Sequence, residues 1–166
     1  ENLKHRIFKE ILTMREENEH QIEITTLADV PSGTGLGSSG AFTVSVLKAL
    51  SVYDSNYISN DEIAKNACHI EIERLLDPVG KQDQYASAIG GINEFVFHKD
   101  DSVEFKKLSI SKNNLSLLED SILLFFTGYS RNASDILSTQ DKLSKESDPS
   151  IIKNLDEIKE MGHTAK

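Results

Sequence analysis

Apolar residues return every three or four positions at Leu3, Ile7, Ile11 and Met14, which predicts an amphipathic helix at the start of the chain. The period then changes. From Gln21 to Val30, Ile22 and Ile24 are separated by polar residues, the alternation of a strand with one wet face. A Gly/Ser loop follows. After it, Phe42, Val46, Ala49 and Leu50 set out a mostly apolar helix with Gly40 near its start. Ser59 and Glu62 have capping-box spacing and open the next helix. Its stripe is Ile63, Ala64, Ala67, Cys68, Ile72, Leu75 and Leu76, and Asp77-Pro78-Val79-Gly80 stops it.

A short helical stretch from Asp83 to Ile89 ends at Gly90-Gly91. Ile92 to Phe97 and Val103 to Leu108 read as a hairpin turning over His98-Lys99-Asp100-Asp101. Ser121 to Thr127 is a short apolar run that predicts a buried strand. Gly128 leads into a helix containing Ile136 and Leu137. Asp148-Pro149 supplies an N-cap and first-turn pair for a final helix to about Met161. The Asn113-Asn114 region, ahead of the apolar run, is the expected domain boundary.

Charge and composition narrow what such a chain can bind. The 166 residues hold 18 Lys and Arg against 27 Asp and Glu, a formal net charge of −9. That balance argues against general binding to nucleic acid or to a membrane surface. No apolar run approaches the roughly 18 residues of a membrane span, and no signal peptide is visible. The single cysteine, Cys68, excludes an internal disulfide and fits a reducing cytoplasm. A start at Glu1 and a stop just after a helical pattern lead us to expect a fragment of a longer protein.

Three signals carry chemistry. The first is Pro31-Ser32-Gly33-Thr34-Gly35-Leu36-Gly37-Ser38-Ser39-Gly40, a loop that can bring several backbone N–H groups to a phosphate at a helix start. It is not the common P-loop, because no lysine lies between Val30 and Val46. Gly35-x-Gly37-x-x-Gly40 matches the dinucleotide pattern by letter, and an NAD(P)-binding oxidoreductase is the competing reading. That reading lacks the uniformly apolar preceding strand and the following acid, and it leaves the other two signals unused. Ser38 and Ser39 are placed so that one hydroxyl donates to phosphate and the other ligates Mg²⁺.

The second signal is Glu71. On a 3.6-residue period it neighbours Ala64, Ala67, Cys68 and Leu75, so it falls on the apolar stripe, whereas Glu73 joins Asn66 and His69 on the polar face. An inward carboxylate is costly without a cation or donors. It is either a Mg²⁺ ligand or a stripe-edge glutamate reaching to water. The third is Gly80-Lys81-Gln82-Asp83-Gln84-Tyr85. Asp83, past a glycine turn at a helix start, can orient or deprotonate a hydroxyl, or simply offset the helix dipole. Lys81 supports Asp83, meets a substrate phosphate, or is an ordinary surface lysine. Arg131 follows the apolar run at a position suited to ligand contact or to a surface salt bridge. The five histidines have no metal spacing, and Cys68 and Tyr85 read as packing residues.

Pro31-x-Gly33-x-Gly35-Leu36-Gly37-Ser38-Ser39, with Glu71 and Gly80-Lys81-Gln82-Asp83-Gln84 behind it, resembles the GHMP kinases, the family of galactokinase and of homoserine and mevalonate kinases. The run Gly80 to Asn93, with Gly128-Tyr129-Ser130-Arg131 and Ile136-Leu137, looks most like the bacterial kinases of heptose 7-phosphate. Fucose-type sugar-1-kinases share some of it. The resemblance covers about Leu3 to Met161. It implies an α+β fold: an N-terminal ATP-binding domain like domain 2 of ribosomal protein S5 over residues 1–113, without its first strands, and the start of a ferredoxin-like C-terminal domain over 114–166. The family's N-terminal sugar-binding strand motif and its C-terminal glycine-rich motif are not found, so a chain of this length alone is expected to be inactive. Gly40 stands where alanine or serine is usual, a mild departure.

The resemblance further implies ATP and Mg²⁺ as cofactors and a sugar phosphate as partner. Ser39 and Glu71 would ligate Mg²⁺. Pro31, Gly33, Thr34, Gly35, Leu36, Gly37 and Ser38 would wrap the phosphates. Asp83 would act on the anomeric hydroxyl with Lys81 in support, and Arg131 would meet substrate.

Overall fold

A computed structural model describes residues 4–15, 22–126, 128 and 133–165. Leu3, Gln21, Thr127 and Arg131 lie outside the described residues. The fold divides into two compact units, one taking the chain up to Ile89 together with the helices after residue 130, the other beginning at Gly90. Asn113 and Asn114 fall in the first turn of a helix of the second unit.

The first unit is built on α1 (Arg6–Met14), α2 (Ser38–Tyr53), α3 (Asn60–Cys68), a π-helical turn (His69–Arg74) that continues α3, and α4 (Gln82–Ile89). Ser59 caps α3 as its spacing predicts, its hydroxyl accepting from Glu62 N–H at 3.1 Å. The helix α2 is buried on two sides. On one, Ile11, Val46, Leu50 and Ile70 pack with Ile7, Phe8, Phe42 and Leu75. On the other, Val44, Ile63 and Ala67 pack with Leu47, Ile58 and Ala88. This places the N-terminus of α2, the π turn and the start of α4 around one point.

Later in the unit, α6 (Ala133–Lys145) and α7 (Pro149–Ala165) pack against each other. Asp148 caps α7, accepting from Ser150 N–H at 2.9 Å and Ile151 N–H at 3.2 Å. The helix runs four residues past the expected Met161. The second unit holds a hairpin of β1 (Asn93–Phe97) and β2 (Val103–Lys107), antiparallel with Phe95 opposite Phe105, and then α5 (Lys112–Ser121).

Four expectations are corrected. Residues 22–28 form no strand, and all but Ile22 are exposed, because no described segment offers the neighbouring ladder that a strand needs. The apolar run after Ser121 is not a buried strand: Ile122 to Phe126 are 60–79% exposed, since no described element covers them. Helix α5 was not expected. It starts on a cap, Ser111 accepting from Asn114 N–H at 3.2 Å, without the Glu or Gln three residues on that completes a capping box. The helix stripe was drawn through Leu76, which is 79% exposed at φ +55 beyond the helix end, while Ile70, omitted from it, is wholly buried.

Candidate active site

The Gly/Ser loop alternates in hand. Gly33, Gly35 and Gly37 have φ of +76°, +78° and +68°, and no residue between them is left-handed. Such alternation turns successive N–H groups toward one side and makes an anion-binding concavity. Gly37 is also the N-cap of α2 and gives its first turn no side-chain cap, so the helix presents its N–H groups and partial positive charge at the loop's end. Pro31 and Thr34 brace the loop, the Thr34 hydroxyl donating to the Pro31 carbonyl at 3.0 Å. Leu36 is half exposed, and with Ser38 and Ser39 it lines a cleft of about 990 Å³ walled by residues 22–30 and α2.

Ser39 and Glu71 are 32 residues apart in sequence and in contact in the fold: the Ser39 hydroxyl donates to Glu71 Oε2 at 2.8 Å. Glu71 is 1% exposed, and among the described residues its Oε1 has no hydrogen-bond partner. A buried carboxylate oxygen without a donor is an expensive feature to keep. It is also what a hard cation requires. Among the described residues no three His, Cys, Asp or Glu converge as a metal cage. A hydroxyl and one carboxylate suit an ion such as Mg²⁺, which binds through one or two protein groups plus phosphate oxygens and water.

Asp83 reaches the same place from α4. A Cβ on Gly37 would lie 3.0 Å from Asp83 Cγ and 3.1 Å from its Oδ2, so the carboxylate lies against the last glycine of the loop. A Cβ on Gly40 would lie 3.0 Å from Asp83 Cβ and 3.1 Å from Gln84 N, so Gly40 is a point of close approach between α2 and α4. Lys81 is half buried in the turn before α4, near enough to Cys68 for its charge to favour the thiolate. Burial outweighs that effect and, with the Glu71 carboxylate, pushes the Cys68 thiol up to about 12. Cys68 therefore stays a neutral packing residue. Arg131 is outside the described residues, so the fold gives it no position.

Two residues given no role from the sequence also belong here. Thr43, wholly buried, donates to the Ser39 carbonyl at 3.0 Å one turn along and fixes that serine's main chain. Gln84 is 1% exposed with an unpartnered Oε1. Thr43 lies one helical turn beyond Ser39, and that offset was the available signal; Gln84 directly follows Asp83.

Residues 3–91 match the family described as the GHMP kinases N terminal domain. The chain belongs to the GHMP kinase family. Among curated GHMP relatives, D-glycero-alpha-D-manno-heptose 7-phosphate kinase of Campylobacter jejuni is 41% identical over 111 residues, 67% of this chain and 33% of that protein. The L-fucokinase/L-fucose-1-P guanylyltransferase of Bacteroides fragilis is 30% identical over 121 residues, 70% of this chain and 12% of that protein. Among solved structures, a D-glycero-D-manno-heptose 1-phosphate kinase of Bacteroides thetaiotaomicron superposes with a TM-score of 0.58 at 32% identity, covering 75% of this chain and 40% of that one. This GHMP chain thus spans about a third of the length of its heptose kinase relative. No described helix is long and apolar enough to cross a membrane.

Proposed function

We propose that the protein is an ATP-dependent sugar kinase that phosphorylates the anomeric hydroxyl of a heptose 7-phosphate, giving the 1,7-bisphosphate. The observation that carries this reading is the convergence of Ser39, Glu71 and Asp83 on the uncapped N-terminus of α2. The heptose reading is supported by the likeness to the heptose 7-phosphate kinase of Campylobacter jejuni and the heptose 1-phosphate kinase of Bacteroides thetaiotaomicron. In this reading residues up to about 113 form the ATP-binding domain and those from 114 begin the second one, in a reducing cytoplasm.

The chain is acidic, so it handles a triphosphate with oriented amides rather than with lysines. The loop from Pro31 to Ser38 and the first turn of α2 hold the phosphates by N–H donation. Ser39 and Glu71 hold Mg²⁺, which supplies charge neutralisation on the phosphates when bound. Asp83 accepts a hydrogen bond from the sugar's anomeric hydroxyl and then its proton. The hydroxyl oxygen bonds to the γ-phosphorus as the bond from that phosphorus to the bridging oxygen breaks, and ADP leaves. Phosphoryl transfer of this kind needs positioning and electrostatics more than covalent help. Lys81 supports Asp83 or the transferred phosphate.

The test is the full-length enzyme with ATP and a panel of heptose 7-phosphate, L-fucose and galactose, products read by phosphorus NMR. A 1,7-bisphosphate formed by wild type and lost by orders of magnitude in Asp83→Asn, with ATP binding kept, is the expected result. Product from fucose or galactose alone would move the substrate to the other sugar-1-kinases. A melting-temperature rise with NAD(P) and none with ATP and Mg²⁺ would overturn the kinase reading.

A further inference from the structure

Glu71 sits in the π-helical turn His69–Arg74, and such turns are rare, short and frequent at functional sites. Here the widened geometry is held from its C-terminal end. Leu75 N–H reaches back to the Ile70 carbonyl at 2.9 Å, and Asp77 N–H reaches back to the Glu71 carbonyl at 2.9 Å. Both residues are in turn gripped from α1. Arg6 donates through one nitrogen to the Leu75 carbonyl at 3.0 Å and to Asp77 Oδ1 at 3.2 Å. One turn along α1, Glu10 Oε2 accepts from two nitrogens of Arg74 at 2.7 and 2.6 Å. Beneath them Ile11 packs on Ile70. An unbroken path of contacts runs from the Arg6 guanidinium through Asp77 to the main chain of Glu71.

We propose that Arg6 and Asp77 are positioning residues that fix the π turn and so aim the Glu71 carboxylate at its cation. The inference rests on the metal role proposed for Glu71. An ordinary stabilising role does not account for the arrangement: the Arg6 side chain is 64% exposed, and exposed pairs of this sort contribute little to stability. Charge alone makes the opposite prediction. Removing a cation near a cation site strengthens metal binding, whereas loosening the turn weakens it. For Arg6 the sign of the effect therefore separates the two; Asp77→Asn removes a negative charge and weakens binding on either account.

The experiment measures Mn²⁺ binding by electron paramagnetic resonance in the full-length enzyme saturated with a non-hydrolysable ATP analogue. The variants are Arg6→Met, Arg6→Lys, Asp77→Asn, the Arg6→Met/Asp77→Asn pair and Glu71→Gln. Loss of partners that orient a metal ligand commonly weakens binding 10- to 100-fold, so Arg6→Met should raise the Mn²⁺ dissociation constant roughly 10-fold, with little change in melting temperature. Arg6→Lys, which keeps the charge and one donor nitrogen but not the guanidinium's shape and reach, should do the same to a smaller degree. The pair should be no worse than its worse member. Unchanged or tighter Mn²⁺ binding in Arg6→Met, with Glu71→Gln weakened, overturns the positioning role and leaves the kinase reading standing, whatever Asp77→Asn does. Unchanged binding in Glu71→Gln as well removes Glu71 as a ligand and overturns both.

Discussion

Gly37→Ala in the full-length enzyme separates stability from function at the loop. Two effects follow from the geometry. Gly37 has φ +68, and a non-glycine residue in that region costs roughly 1–2 kcal/mol. The added methyl also lands 3.0 Å from Asp83 Cγ and 3.1 Å from Oδ2. Those atoms end a short side chain that can rotate away, so the clash relaxes at little cost in stability by moving the carboxylate. Gly35→Ala is the matched control. Its φ is +78 and the built methyl meets nothing within 4 Å, so it carries the same backbone strain without the contact. Both variants should therefore lose about 1–2 kcal/mol in chemical denaturation. Only Gly37→Ala should lose the larger factor in turnover, on the order of 100-fold for a displacement near 1 Å. The assay is kcat at saturating ATP and Mg²⁺, with the KM for ATP followed in parallel. Equal kcat losses in the two variants would refute the argument, because the fault would then lie in the loop's backbone rather than in Asp83.

Other expectations are more local. Cys68, held near 12 by burial, should react with a thiol reagent at pH 8 on the order of 10³ times more slowly in the folded protein than in urea; equal rates would place it outside the core. The same residue makes stability fall as pH rises past the unfolded thiol's value near 8.5, since the unfolded chain then loses a proton the folded one keeps. The Ser150 hydroxyl, then the Ile151 and Ser150 amides, hold the Asp148 carboxyl below its ordinary value, so its contribution is present above about pH 4 and is lost as pH falls through the lower folded value. Helicity followed from pH 5 to pH 2 should show that loss in wild type and not in Asp148→Ala. Ile70→Ala, at a wholly buried site, should cost about 2–5 kcal/mol in urea denaturation, and a cost below 1 kcal/mol would show that the π turn is not seated on the core.

The residues that sequence located best were those whose chemistry is unusual for their position. Glu71 on an apolar stripe is an anomaly visible from helical period, which left open whether its carboxylate reached water; the fold buries it. The glycines at 33, 35 and 37 announce left-handed backbone because no other residue enters that region cheaply. What could not be read was whatever depends on a partner. Residues 22–28 and 122–126 carry strand-like patterns, but pattern states only that one face is apolar, not that another segment will lie against it. The π turn was hidden for a different reason. Nothing in the residue spacing distinguishes a π turn from a continued α-helix, and here Ile70 turns to the core within it while Leu76 falls beyond its end. The grip of Arg6 on Asp77 spans 71 positions and has no local signature at all.

Glu71 offers a last test, because stability and activity pull its identity in opposite directions. Its side chain is 1% exposed, Oε2 accepts from Ser39, and among the described residues Oε1 has no donor. Leaving a buried polar group unsatisfied costs about 1–3 kcal/mol, while replacing it with an apolar side chain of similar shape is neutral or favourable. Glu71→Met keeps the volume and removes the orphaned oxygen. The Ser39 hydroxyl that loses its acceptor is on an exposed residue and can turn to water. The balance predicts a melting temperature equal to or higher than wild type, together with loss of Mg²⁺-dependent ATP binding. A carboxylate that instead supported the fold would make this substitution destabilising, comparable to Ile70→Ala beside it. Thermal melts of the two variants in the absence of nucleotide decide the matter, since without metal or phosphate present only the fold's own preference for the group is measured.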